Sequence, residues 1–368
     1  MSSLEEEISQ RRREIFADSY SMSIGEITNL YRDGEIDVHP EFQRIYRWDD
    51  LQKSRLIESI LLGIPLPSIF VAQAESGAWD VVDGVQRLST ILQFQGVLKD
   101  DHGNLIPPVK LQGTKLLPSL AEKVWDDSNS SNSLTPAQRL DFKRAKLDLK
   151  IIKRESSSES KYDLFQRLNS YGAPATAQEL RSCILISINA EFYGWLKDLA
   201  LSEPFLETTS LNERLISEQY NYELAVRFLV FRQMKESTIS AIGNLGEYLT
   251  EAISTMAQSA TYDREAEGRR FRKTFELLAK SGGDDVFRRW NPARKRFQGA
   301  FLNTAFEVIA LGLGCHIDSY TDATEVDALE KAKKFWSSSD YSSGFATGLR
   351  ADTRMARSIP IGRNLFKK

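Results

Sequence analysis

The chain predicts an α+β domain with a small mixed sheet, followed by an all-helical domain, on three observations. Short apolar stretches at 68–72, 79–82 and 147–152 have the length and β-branched content of strands. Capped helical segments alternate with them in the first half, which is the mixed pattern of an α+β layer. Beyond residue 160 nearly every segment repeats its apolar residues at helical spacing, with no fixed-period repeat.

Ser23, with Glu26 three residues on, opens the first helix as a capping box, and Asp33-Gly34 ends it. Residues 36–44 read as extended, with Pro40 arguing for an edge or irregular strand. Asp49 or Asp50 caps a helix that places Leu56, Ile57, Ile60 and Leu61 on one face. Gly63 suits its C-terminal cap, and Pro65 and Pro67 force an extended exit. Two strands follow, joined by a turn at 75–77. The second breaks on Asp83-Gly84, and Gln86-Arg87 open a helix. Residues 100–108 are a loop and 128–133 a polar linker or insertion. Thr135-Pro136 starts another helix, and 147–152 alternates as a half-buried strand. After a polar break at 156–160, Leu164, Leu168, Leu180, Ile184 and Ile188 begin a helical series that reaches Leu313. Ser337, Ser338, Ser339 and the basic end from Arg363 to Lys368 predict partial mobility over the last thirty or so residues. The expected organisation is a charged leader at 1–19, a mixed domain at 20–185 and a helical domain at 186–368.

With 41% hydrophobic and 27% charged residues, the composition is that of an ordinary globular protein. A net charge of −3 announces no global basic field. No apolar run approaches the roughly 20 residues of a membrane span, so no membrane partner is expected. Met1 to Arg13 is acidic and then basic, unlike a signal peptide. Cys183 and Cys315 lie in separate apolar helical patterns and read as buried free thiols of a reducing, cytoplasmic compartment. Neither has a cysteine or histidine near it, which excludes a zinc site.

The chemistry concentrates at Asp83-Gly84-Val85-Gln86-Arg87. A strand that breaks on Asp-Gly into a helix gathers free backbone N–H groups, a natural seat for phosphate. Asp83 could position a metal or a water, and Arg87 and Arg44 could hold phosphate oxygens. The competing reading has Asp83 as a cap and Arg87 in a salt bridge. There is no Walker-type phosphate loop.

Phe42-Gln43-Arg44, Trp48, the run from Leu56 to Pro67, Asp83-Gly84-Val85-Gln86-Arg87-Leu88, Phe165-Gln166-Arg167-Leu168-Asn169-Ser170 and Gln178-Glu179-Leu180-Arg181 occur in this order. Together they resemble the N-terminal domain of GmrSD-type, modification-dependent restriction enzymes, itself similar to the ParB/sulfiredoxin superfamily. The resemblance implies a nucleotide-binding protein, a Mg-dependent NTPase or sensor, in an anti-phage restriction system. It implies Asp83 as the catalytic or metal-positioning acid and Gln86 as the group orienting water or phosphate. Gln43, Arg44, Trp48, Gly84 and Arg87 would bind nucleotide or phosphate, with Arg167 and Asn169 as further pocket residues. Trp48 alternatively reads as a core aromatic, and Glu179 as the capping-box partner of Thr176. Val85 stands where the family usually carries Gln, so nucleotide binding is better supported than hydrolysis. Full-length relatives often carry a His-Asn-His nuclease. His39, His102 and His316 cannot assemble one here, so an effector protein such as a nuclease would supply cutting.

Two basic segments remain. Residues 139–154 hold seven Lys/Arg against Asp141 and Asp148. Residues 264–296 hold eleven against five acids, with Phe271, Phe275, Phe287 and Trp290 interleaved. Arg288, Arg289, Arg294, Lys295 and Arg296 are the candidates for nucleic-acid contact, the basis of an alternative reading as a non-enzymatic DNA-binding or partner-docking module. The competing reading of each stripe is a solvated helix face with intrahelical ion pairs.

Overall fold

Local capping chemistry builds most of the N-terminal half. Ser23 Oγ accepts the Glu26 N–H at 3.1 Å and starts α1 (Ile24–Arg32). Asp49, not Asp50, caps α2 (Asp50–Leu61) in a reciprocal box with Gln52, at 2.7 and 3.0 Å. Thr135 and Gln138 make the same box for α4 (Pro136–Arg144), at 3.2 and 2.9 Å. Each box satisfies backbone donors that a helix start otherwise leaves open. In this computed structural model the described residues are 4–6, 16–38, 48–74, 76–100, 102–127, 131–154, 156, 176–321, 327–339, 341, 345 and 349–368. They divide into two compact units, Met1–Ser187 and Ile188–Lys368.

The first unit holds a five-stranded mixed sheet among its described residues. Its strands are β1 (Ala17–Ser23), β2 (Ile36–Asp37), β3 (Ile69–Gln73), β4 (Trp79–Asp83) and β5 (Lys146–Ile152), in the order β1-β5-β3-β4-β2. β3 and β4 form an antiparallel hairpin, β2 runs parallel to β4, β5 runs parallel to β3, and β1 closes the edge antiparallel to β5. β1 starts inside the expected leader. Its sequence hides it, because only Met22 of its seven residues is buried.

Alternation along the strands sends Ile36, Ile69, Val71, Val81, Leu147, Leu149 and Ile151 to one face. That face packs on α1, α2, α4 and α3 (Val85–Phe94) through Ile27, Ile57, Leu88, Ile91, Leu92 and Phe142. The weakly patterned stretch after Gln95 is pinned at two points. Trp125 stands edge-on to Phe94 and Phe142, with centroids 5.7 and 5.4 Å away. The buried Glu58 carboxylate accepts the Leu116 and Leu117 N–H groups at 3.1 and 3.0 Å, and the Thr114 hydroxyl as well. A buried carboxylate so satisfied fixes a loop firmly.

Among its described residues the second unit is helical apart from one two-stranded hairpin, β6 (Arg289–Asn291) and β7 (Arg296–Gln298). The hairpin departs from the all-helical expectation, and it falls within the second basic segment. The principal helices are α9 (Tyr220–Phe231), α12 (Arg264–Gly282), α13 (Asn303–His316), α14 (Ala328–Trp336) and α15 (Ala351–Phe366). Smaller ones are α6 (Ala190–Ala200), α7 (Glu203–Thr209), α8 (Glu213–Ser217), α10 (Glu236–Ile239) and α11 (Leu245–Gln258). Phe205, Phe228, Phe271 and Phe275 interlock at 4.6–5.3 Å between ring centroids. Residues 305–314 of α13 are buried throughout, as expected of a central helix. α15 crosses α13 closely, and the Gly362 and Gly312 backbones touch where side chains would collide. Within the predicted mobile tail, Met355, Ile359 and Phe366 are core residues, so 351–366 is structural.

Candidate functional site

The Asp83-Gly84 turn lies where β4 ends and α3 begins. The β3–β4 ladder shifts register between Phe70 and Val71: Phe70 pairs with Asp83 and Val71 with Val81. The unopposed Val82 is a bulge, a device that bends a strand and re-aims the residue beside it. Gly84 follows with φ +94°, a left-handed conformation that favours glycine. A Cβ there would also stand 3.0 Å from Ile69 Cγ1 and 3.1 Å from Arg87 Nη2. Two independent constraints therefore demand glycine. No side chain caps α3, and the first bond of the helix is Leu88 N–H to Gly84 C=O at 2.9 Å. The positive end of the helix dipole is thus left for a ligand or solvent.

Arg87 is spoken for. Its Nη2 donates to Asp83 Oδ2 at 3.1 Å and to the Ser68 carbonyl at 3.2 Å, and its Nη1 donates to the Pro67 carbonyl. Its side chain is 14% exposed against 47% for Asp83. Burial pulls the guanidinium below its ordinary pKa, and the Asp83 charge pushes the other way. Arg87 thus staples the chain entering β3 to the start of α3. The salt-bridge reading of Arg87 describes this geometry, whereas Asp83 accepts from Arg87 and does not cap the helix.

β2 runs in the direction of β4, so Val38 leaves the sheet toward the end that carries Asp83. The chain returns at Trp48, half-buried against the core next to α2, which fits the core reading of that residue. Val85 also packs partly buried against this core. The Gln86 carbonyl accepts the Thr90 hydroxyl at 2.7 Å. Gln43, Arg44, Arg167 and Asn169 lie outside the described residues, as does His39.

A second polar group sits on the opposite face of the sheet. Asp80 on β4, 9% exposed, is in register beside Asp37 on β2. On α5 (Ala177–Ile188), Gln178, Glu179, Arg181 and Ser182 are all buried. Thr176 Oγ1 accepts the Glu179 N–H at 3.2 Å and Glu179 returns a bond to the Thr176 N–H, completing the expected box. Arg181, fully buried, donates to Gln178 Oε1. The Cys183 thiol is pushed up, first by burial and then by the Glu179 and Asp80 charges. That places both acids near one point of α5. Asp80 and Arg181 gained no role from the sequence. The signal was present, since a charge at the centre of an apolar strand and an arginine within an apolar helix both need compensation.

The basic segments resolve into paired and exposed cations. Arg139 meets Asp126 at 2.6 Å and Lys153 meets Asp18 at 2.8 Å. On α12, Arg264 pairs with Glu191, Arg269 with Glu265, and Arg270 with both Glu267 and Asp318. Arg288 is held by Asp284 and Asp285 at 2.6 and 3.3 Å. Phe271, Phe275 and Phe287 are buried, so no continuous basic-aromatic stripe exists. Arg289, Arg294, Lys295 and Arg296 are exposed on the hairpin. His316 Nε2 lies 3.0 Å from the Arg363 carbonyl, and among the described residues no group of three or more His, Cys, Asp or Glu side chains is placed to hold a metal.

A mixed sheet ending in a bulged acid-glycine turn that opens an uncapped helix defines an α+β domain. Residues 24–186 match the model of the GmrSD restriction endonuclease N-terminal domain. A domain of this family points to a role in a restriction system. No curated protein and no solved structure matches the chain. No helix among the described residues is long and apolar enough to cross a membrane.

Proposed function

We propose that the family domain binds a nucleoside triphosphate at the Asp83-Gly84 turn and that this event governs a separate effector, such as a nuclease, of a restriction system. The observation that carries the reading is the glycine-started, uncapped N-terminus of α3 beside an exposed carboxylate. Backbone N–H groups there would receive phosphate oxygens. In this reading Gly84 permits the close approach, Gln86 orients water or phosphate, and Arg44 and Gln43 supply further contacts. Arg87 acts as a positioning residue, because its donors hold the turn.

Magnesium fits in a limited way. Asp83 offers one carboxylate, and Mg²⁺ commonly takes one or two carboxylates with waters and substrate phosphates. Bound there, it would offset phosphate charge. Val85 presents an apolar side chain to the core, which favours a sensor that binds over an enzyme that turns over.

Calorimetric titration of the full chain with GTP, ATP and CTP, each with and without magnesium, tests the proposal. At least one triphosphate should bind, and Asp83→Asn, whose amide oxygen can still accept from Arg87, should remove the magnesium-dependent part with a small fall in melting temperature from the weakened ion pair. Absence of binding to all three would refute it.

A further inference from the structure

The cations of the second unit are divided by their partners. Those on α12 that face acids are neutralised in place, and Lys273 donates to the Tyr320 carbonyl at 2.5 Å. The hairpin is different. Residues 289–296 contain four cations and no acid, in a chain whose net charge is −3. The two nearest acids before them, Asp284 and Asp285, are occupied by Arg288. Among the described residues Arg289, Arg294, Lys295 and Arg296 have no acidic partner, and the exposed Lys334 on neighbouring α14 has none either.

The base of the hairpin is rigid. Trp290 pairs with Phe297 across the strands, centroids 5.1 Å apart, and Lys333 of α14 stands 5.1 Å over the Trp290 ring. Trp336 Nε1 donates to the Arg288 carbonyl at 3.1 Å, and Leu302 N–H to the Phe287 carbonyl at 3.0 Å. The tip is ordered as well: Arg294 N–H donates to Asn291 Oδ1 at 3.1 Å. Lys295 sits in the left-handed region at φ +49°, which costs a non-glycine residue about 1 kcal/mol. A tip that holds a lysine where glycine would be easier presents charge at a steric cost.

We propose that the β6–β7 hairpin is a backbone-contacting element for duplex DNA, with Arg294, Lys295 and Arg296 on phosphates. The inference rests on the restriction-system role and is independent of nucleotide at the Asp83-Gly84 turn. Charge complementarity selects the occupant. The hairpin aromatics are half-buried at its base and the tip adds only Pro292 and Ala293, so it lacks the apolar anchors of a protein interface. Guanidinium forks match phosphate oxygens, and a two-stranded ribbon is narrow enough for the major groove.

The test is fluorescence anisotropy of the full chain with a labelled duplex of mixed sequence, from 50 to 200 mM NaCl. Parent protein should bind with an affinity that falls steeply with salt. The triple variant Arg294→Ala/Lys295→Ala/Arg296→Ala should lose more than tenfold in affinity at 50 mM, and the log–log salt slope should fall by about 2.7, three phosphates at roughly 0.9 each. Arg269→Ala, which breaks a neutralised pair, should leave binding unchanged, and both variants should titrate nucleotide as the parent does. Equal affinity and slope in the triple variant, no duplex binding at 50 mM, or tighter binding of duplex RNA or polyglutamate than of DNA would each overturn the proposal.

Discussion

Replacing Arg87 with alanine should destabilise the first unit by about 2 kcal/mol, even though Arg87 would ordinarily be chosen as a ligand-binding knockout. The side chain makes three charge-assisted contacts, to Asp83, the Ser68 carbonyl and the Pro67 carbonyl. Hydrogen bonds to charged groups contribute roughly 1.5–3 kcal/mol each when buried. The shares shrink here because the half-exposed Asp83 and the exposed Pro67 recover water, leaving about 2 kcal/mol net. For a unit of this size that corresponds to a fall of roughly 4–8 °C in melting temperature. Arg87→Lys, which retains one ammonium for three acceptors, should fall about half as far. Differential scanning fluorimetry of the full chain reads the shift, and if the two units melt separately only one transition should move. A transition within about 1 °C of the parent would refute the staple, and Arg87 would return as a group free to meet phosphate.

Two further outcomes follow from the second unit. Gly362→Ala places a methyl against the Val308 carbonyl, with the carbonyl carbon 2.9 Å away, and should cost about 3 kcal/mol, whereas the same change at Gly194, where nothing crowds an added methyl, should stay within about 1 kcal/mol on chemical denaturation. The Tyr262 and Tyr220 hydroxyls are raised, by burial first, with Glu267 adding for Tyr262 and Arg227 opposing for Tyr220. A raised folded pKa contributes stability below the unfolded value of about 10 and loses it above. The urea midpoint should therefore hold from pH 7 to 9 and decline beyond about 10. Tyr262→Phe should flatten that decline, and an unaltered decline would remove Tyr262 as its source.

The sequence made most of the helix starts legible because the cap and its partners sit within three residues, as at Ser23, at Thr135 followed by Pro136, and in the box of Thr176 with Glu179. Strands β3, β4 and β5 were visible through their apolar alternation. β1 was not, because Ala-Asp-Ser-Tyr-Ser-Met-Ser carries a single buried apolar residue and its partner begins over a hundred residues later. The Asp83-Gly84 turn was legible as strand, break and helix, but the bulge at Val82 depends on register with β3. Arg87 was assigned to phosphate because its carbonyl partners lie nineteen and twenty residues earlier and carry no side-chain signature. At the C-terminal end, serines, basic residues and an internal Pro360 masked the spacing of Met355, Ile359 and Phe366.

The close crossing of α13 and α15 also sets an order of assembly. Residues 305–314 are buried throughout and apolar except for Glu307, which pairs with Arg354 of α15, and 351–366 covers one side at the Gly312–Gly362 contact. During synthesis that side stays open while some forty further residues are made, because 351–366 is the segment that covers it. The second unit must therefore wait for its final helix before its interior closes.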